Sequence, residues 1–322
     1  MNPNFIDGAA VERILDMPTC IRLMRQALSA LASGEANQMV RPVLPLTGRN
    51  VLGMMPAFDS GGGVAGVKVL SVFPDNWQRG IPSHQGVIIL FETDGGAIKA
   101  IVDAESITGI RTAAASAAAT DALARRDASR LAILGAGLQG EQHLRAISRV
   151  RELDSVTVWD LDPVRAANYA EAMGRETGLD ISACSSAHEA SRDADIICTV
   201  TPAVEPILFA ADVKPGAHIN AVGACTPNAR EIGSDLMALG RLFVDWKPAA
   251  VKEAGDYLLA VADGTIGADH ILGEVGSVMN GNLDGRTGES DVTIFEALGQ
   301  ATQDVIAANH VANGLKLQEG AA

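Results

Sequence analysis

Positive charge is scarce in this chain. Its 322 residues carry 25 Lys and Arg against 39 Asp and Glu, a formal net charge of −14 at pH 7. Such a surface repels nucleic-acid backbones and anionic membranes, so neither is expected as a partner. It also makes any gathering of basic side chains in a pocket more informative. Cysteine is equally sparse. Cys20, Cys184, Cys198 and Cys225 lack metal-ligand spacing, which argues against a metal site and disulfides and for reduced thiols in the cytoplasm. No run of about 18 uncharged apolar residues is present to span a membrane. The most alanine-rich stretch, RTAAASAAATDALARR, is bracketed and interrupted by charge. The opening MNPNFIDGAAVERILDM has neither the basic start nor the apolar stretch of a signal peptide. Internal repeats and low-complexity segments are also missing.

What is present is a large apolar fraction, 48%, in a length that suits two domains. From Leu131 onward, apolar runs alternate with amphipathic stretches: RLAILGAG, LQGEQHLRAISRV, SVTVWDLD, PVRAANYAEAMGRETG, ISAC, SAHEASRD, DIICTVT and HINAVGA. Strands and helices in that alternation predict a parallel sheet covered on both faces. The expected fold is α/β, with a Rossmann doubly wound dinucleotide domain over 126–304. The first part has another rhythm. A helix over Met17–Ser33 precedes NVLGMMPAF, AGVKVLSVF, GVIILFET and AIKAIVDA, with the turn sequences DSGGG and TDGG among them. These predict antiparallel hairpins in an α+β domain over 1–125. VTIFEALGQATQDVIAANHVAN is expected to be helical and to return to that domain, completing it over about 305–322.

In GAGLQG, Gly135, Gly137 and Gly140 fit G-x-G-x-x-G between a strand and a helix. Gly135 allows the tight turn, Gly137 the approach of main chain to a pyrophosphate, and Gly140 the packing of helix on strand. The helix start offers free N–H groups to the phosphates. Asp160 ends the second strand about 20 residues on, where a carboxylate accepts the ribose hydroxyls; its bland reading is a turn residue in DLDP. NAD, as NADH, is the expected cofactor, and nearby Arg165 leaves NADP open.

The segments KVLSVFPDN, PSHQG, IRTAA and GAGLQ, in this order, are similar to the ornithine cyclodeaminase and mu-crystallin family, with its alanine dehydrogenases and ketimine reductases. The likeness runs from Arg41 to TIFEALG. It implies that the first domain binds substrate and forms a homodimer, and that Arg41, Lys68 and Arg111 hold the substrate carboxylate. Guanidinium groups grip carboxylates bidentately and a lysine adds a point charge. Read alone, Arg41 is equally a solvated loop residue and Arg111 an ion-pair partner on a helix. Lys68 stands apart, because an unpaired ammonium inside AGVKVLSVF is costly. The resemblance also places Arg111 and Thr112 near the cofactor phosphates. Leu138, Gln139, Thr201, Val222 and Gly223 complete the expected cofactor set, with Thr293 against the carboxamide.

Two departures narrow the chemistry. The resemblance puts carboxylates of the cyclodeaminases at positions occupied here by Ala224 and Gly53. An ornithine ammonium beside these residues lacks a partner, so cyclodeamination is disfavoured. PSHQ suits the reductase branch. His84 is the candidate proton donor to nitrogen, since its pKa lies near operating pH. Ser83 orients substrate or meets a second carboxylate, and Lys68 shares the catalytic role. Asp291 is read as a helix cap ahead of VTIF. The expected activity is NAD(P)H-dependent reduction of a small anionic 2-imino acid to an L-amino acid, with iminosuccinate to aspartate preferred. Other imino acids (alanine dehydrogenase or cyclic ketimine reductase chemistry), ornithine or lysine cyclodeamination, and a non-catalytic NAD(P)H-binding role stay open.

Overall fold

Alternation in VLGMMPAFD and VAGVKVLSV sends every second side chain to one face of a sheet, and DSGGG reverses the chain between them. The computed structural model, which describes residues 5–320, contains that hairpin. Met1–Arg111 with Gly299–Ala322 packs as one compact unit and Thr112–Leu298 as a second. The outermost residues of the expected 1–125 and 305–322 spans, 1–4 and 321–322, lie outside the described residues.

The first unit opens with β1 (Phe5–Ile6), α1 (Gly8–Ile14) and α2 (Met17–Ser33), the helices capped by Asp7 and Asp16. β2 (Ala36–Gln38), β3 (Val43–Pro45), β4 (Val51–Asp59), β5 (Val64–Val72), β6 (His84–Glu92) and β7 (Ile98–Asp103) follow. The sheet order is β1-β7-β6-β5-β4-β2 with β3 beside β4; β1 runs parallel to β7 and the other pairs are antiparallel. Asp103 accepts the Ser106 N–H and starts α3 (Ala104–Leu123). A C-terminal helix, Ala301–Gly320, packs on α2, β4 and β5 of the same unit. Its close approach is built in at Gly66, where a Cβ would lie 2.9 Å from Val305 Cγ2.

The second unit runs β8 (Arg130–Leu134), α4 (Leu138–Ile147), β9 (Ser155–Trp159), α5 (Pro163–Thr177), β10 (Ile181–Ala183), α6 (Ala187–Ser191) and β11 (Ile196–Thr199). It continues through β12 (His218–Ala221), α7 (Ser234–Leu239), β13 (Arg241–Val244), α8 (Lys247–Glu253), α9 (Gly255–Ala262), β14 (Ile271–Glu274), α10 (Val275–Met279) and β15 (Thr293–Glu296). Its eight parallel strands are ordered β10-β9-β8-β11-β12-β15-β13-β14. The order reverses direction between β8 and β11, and at such a switch point the carboxyl ends of the strands flank a ligand-binding crevice. The fold is α/β with a Rossmann-type parallel sheet.

Two expectations are corrected. VTIF does not begin a helix: Thr293–Glu296 is a strand, buried at all four positions, between β12 and β13. A short apolar run fits either state, and Gly299 at φ 75° separates it from the helix that follows. The units divide after Arg111 and after Leu298, not near 125 and 304, because α3 is one continuous helix through the first division and the chain leaves the parallel sheet at β15.

Candidate active site

Lys68 lies in the middle of β5, paired across the sheet with Met55 and Ile88 and only 2% exposed. Its ammonium donates to Thr108 Oγ1 at 2.6 Å and to both carboxylate oxygens of Asp304 at 3.3 Å. Thr108 and Arg111, three residues apart on α3, share a helix face. Arg111 Nε donates to Asp304 Oδ1 at 2.9 Å, and its Nη1 to Gln303 Oε1 at 3.3 Å. Arg111 and Asp304 are buried too. One carboxylate thus serves two buried cations, leaving a net charge of +1 that attracts a further anion. Gly299 fits between two arginines: a Cβ there would lie 2.5 Å from Arg111 Nη1, and its carbonyl accepts from Arg41 Nη2 at 3.2 Å.

Burial pushes the Lys68 pKa down to about 8, Asp304 opposes that fall, and the positive charges of Arg111 and Arg41 add to it. His84 begins β6, with Nδ1 2.9 Å from Ser83 Oγ. Partial dehydration, then the charges of Lys68 and Arg111, lower its pKa, while its side chain stays open to solvent. Arg41, Lys68, Ser83, His84 and Arg111, five residues expected to act together, therefore share one unit, and Lys68 feels Arg41 and Arg111 electrostatically as His84 feels Lys68 and Arg111. The sheet rows beside Lys68 are Gly53–Leu70–Gly86 and then Val51–Val72–His84. A Cβ at Gly53 would stand 3.3 Å from Leu70, so Leu70 occupies part of the space a longer side chain at 53 would need.

Asp304 is the member missed from sequence. In QATQDVIAANHV it reads as the polar face of a helix, yet residues 301–309 are all buried. A lone acid in the otherwise uncharged stretch QATQDVIAAN was the available signal. Gln38 fixes the start of that helix, donating to Gln300 Oε1 at 2.6 Å and accepting from Thr302 N.

The second unit carries the glycine loop. Gly135 has φ +115°, and a Cβ would fall 2.8 Å from the Val200 carbonyl. At Gly140 a Cβ would fall 2.3 Å from the Gly135 carbonyl, and Tyr169 donates to the Gly140 carbonyl at 2.9 Å. Gly137 differs: nothing lies within 4 Å of its Cβ position, and it begins α4 without a side-chain cap. Open space over uncapped N–H groups suits a phosphate, with Leu138 and Gln139 in the first turn. Asp160 Oδ2 accepts the Ala136 N–H at 2.9 Å and Oδ1 the Asp162 N–H. That anchors a carboxylate at the end of β9 beside the loop, the place a ribose needs. Thr201 and the pair Val222–Gly223 follow the carboxyl ends of β11 and β12, at the same sheet edge. Thr112 lies on α3. These residues fit a dinucleotide.

Thr293 does not belong to that set. It is fully buried at the amino end of β15, opposite the ligand edge, with its hydroxyl bonded to His218 Nδ1 at 2.9 Å and accepting from Arg286 at 3.1 Å. Asp291 is not a helix cap either. It accepts from Thr287 N, Thr287 Oγ1 and Gly288 N, closing a turn ahead of a strand. The cap reading of Asp291 followed from taking VTIF as helical.

The chain matches the model of the ornithine cyclodeaminase/mu-crystallin family over residues 2–319. It is 39% identical to the ketimine reductase mu-crystallin of Mus musculus over 279 residues, 86% of this chain and 85% of the relative. The structure of Thermococcus litoralis Delta(1)-pyrroline-2-carboxylate reductase in complex with NADH and L-proline superposes with TM-score 0.95 at 31% identity, covering 98% of each chain. That of the iminosuccinate reductase of Paracoccus denitrificans in complex with NAD+ gives 0.89 at 28%, covering 98% of this chain and 97% of that one. Spanning almost every residue, these likenesses show that the chain belongs to the ornithine cyclodeaminase/mu-crystallin family.

Proposed function

We propose that this protein is an NADH-dependent reductase of a small 2-imino acid, yielding the amino acid. The observation that carries the reading is the buried trio Lys68, Arg111 and Asp304, whose net positive charge is offset when a carboxylate binds. A bound nicotinamide supplies the hydride that the C=N carbon accepts. Lys68 and Arg111 orient the carboxylate and thereby the adjacent C=N bond. His84 provides the proton for nitrogen. In the free site neighbouring cations oppose its protonation; an arriving anion offsets them and lets the imidazole take up the proton it then donates.

A cyclic ketimine monocarboxylate of the pyrroline-2-carboxylate kind fits best. The row Gly53–Leu70–Gly86 beside Lys68 offers the ring methylenes an uncharged surface, and a structure of a reductase named for such a compound aligns along nearly the whole chain. Iminosuccinate, preferred from the sequence, is the second reading: Arg41 supplies a third cation and Ser83–His84 a polar pair for another carboxylate. Asp160 and Asp162 beside the loop disfavour a 2′-phosphate and favour NADH over NADPH. None of the four cysteines is in a disulfide, as suits the cytoplasm, and no described helix is long and apolar enough to cross a membrane.

The test is absorbance loss of NADH and NADPH with pyrroline-2-carboxylate, iminosuccinate, and pyruvate plus ammonia. The expected result is oxidation of NADH with the cyclic imine giving the highest kcat/KM, and a loss of about 10²–10⁴-fold in His84→Ala. Oxidation of neither cofactor by any imine sinks the proposal.

The homodimer is proposed on the outer side of the first sheet. Met39, Val43, Leu44, Met54 and Phe58 are all more than two-fifths exposed there, an apolar patch that a second copy of this chain would cover. Light scattering should give twice the 33.4 kDa of the chain, and Phe58→Asp should shift the mass to the monomer. A wild-type monomer at assay concentration would rule the dimer out.

A further inference from the structure

We propose that the Glu231 carboxylate is a positioning residue for the nucleotide, holding the loops that follow β11 and β12 in the arrangement that binds the cofactor. This rests on the nucleotide reading of that sheet edge. Glu231 is fully buried. One carboxylate oxygen accepts from Thr201 N and Thr201 Oγ1, both at 2.6 Å, and the other from Gly223 N at 2.7 Å. Its own carbonyl accepts from Ile207 N and Leu208 N. Its N–H donates to Asp256 Oδ1 at 2.7 Å, and Ile232 N donates to the same oxygen at 2.8 Å. One residue therefore joins four separate segments, and two of them, at Thr201 and Gly223, are main chain at the ligand edge. Gly223 is shaped by this contact: a Cβ there would lie 2.6 Å from Glu231 Cδ.

Three donors converging on one carboxylate call for an anion. The surroundings oppose that charge. Asp256 on α9 and Glu296 at the end of β15 are buried carboxyl groups within electrostatic reach of Glu231, Asp245 after β13 faces Glu296, and Arg230 supplies positive charge to Asp256. Burial pushes the Glu231 pKa up and its hydrogen bonds pull it down. Protonation of Glu231 turns an acceptor toward donors into a competing donor, and the two loops lose their common anchor.

NAD⁺ is titrated calorimetrically into wild type and Glu231→Gln from about pH 7.5 down to about pH 5. The wild type is expected to lose affinity on acidification. The variant is expected to bind about tenfold or more weakly at the upper pH, with little further change below it. In turnover, KM for NADH should rise with a much smaller change in KM for the imine, a split that general destabilisation does not produce. A wild type that binds while Glu231→Gln binds within about twofold, or keeps the wild-type acid limb, overturns this proposal alone. A wild type that takes no NAD⁺ overturns the nucleotide reading and this proposal with it. If neither Glu231→Gln nor Glu231→Asp folds, the wild type decides, and an affinity constant across that pH range overturns it.

Discussion

Replacing Asp304 with Asn is expected to cut kcat/KM for imine reduction by about 10²–10³-fold, because removing one partner of a buried ion pair leaves the other charge uncompensated, at about 3–5 kcal/mol. Here a single carboxylate answers both Lys68 and Arg111, so its loss strands two cations. The sign of the pH effect follows. Asp304 raises the Lys68 pKa, which burial holds at about 8; without the carboxylate it falls further. Lys68 must be protonated to attract the substrate carboxylate, so in the wild type a second alkaline limb of kcat/KM lies near the Lys68 pKa, above the one that loss of the His84 proton sets. In Asp304→Asn this second limb moves to lower pH. Rate profiles on both proteins measure it. An unchanged limb with kcat/KM within about threefold of wild type would show that Asp304 does not set the charge of Lys68.

Gly135→Ala is the second large effect. At φ +115° a Cβ meets the Val200 carbonyl at 2.8 Å, a backbone oxygen that has no rotamer to move to. Strain of this kind costs about 1–3 kcal/mol, and the same displacement carries the loop away from the phosphates. The melting temperature should fall and the NADH dissociation constant rise by about thirtyfold or more, equivalent to about 2 kcal/mol. Gly137→Ala separates the two components. Its added methyl meets no protein atom, so stability should hold while NADH affinity falls. Fluorescence titration with thermal melts reads both variants. Gly135→Ala melting and binding like the wild type would refute the assignment of this loop.

The glycine loop was legible because its logic is local: three glycines at fixed spacing between a strand and a helix. Lys68 was legible for a similar reason, as an ammonium inside an apolar strand advertises a purpose. Its counter-ion was not, since Asp304 stands 236 residues away along the chain, and no short-range pattern connects them. Glu231 hid in the same way: nothing local in NAREI singles it out, and only the fold brings Thr201 and Gly223 to it. The run TIFE was ambiguous in principle, since four apolar-rich residues fit a buried strand and a helix turn alike. Neighbouring strands decided it, and the reading of Asp291 changed with it.

Because the helix carrying Asp304 belongs to the unit that Lys68 and Arg111 occupy, that unit is begun before the parallel-sheet unit is translated and completed only after it. Residues 112–298 are translated in between. Throughout that interval the nascent polypeptide holds two cations destined for burial and lacks the acid that accommodates them, so their pocket cannot close around its native ion pairs until the Asp304 helix has been made.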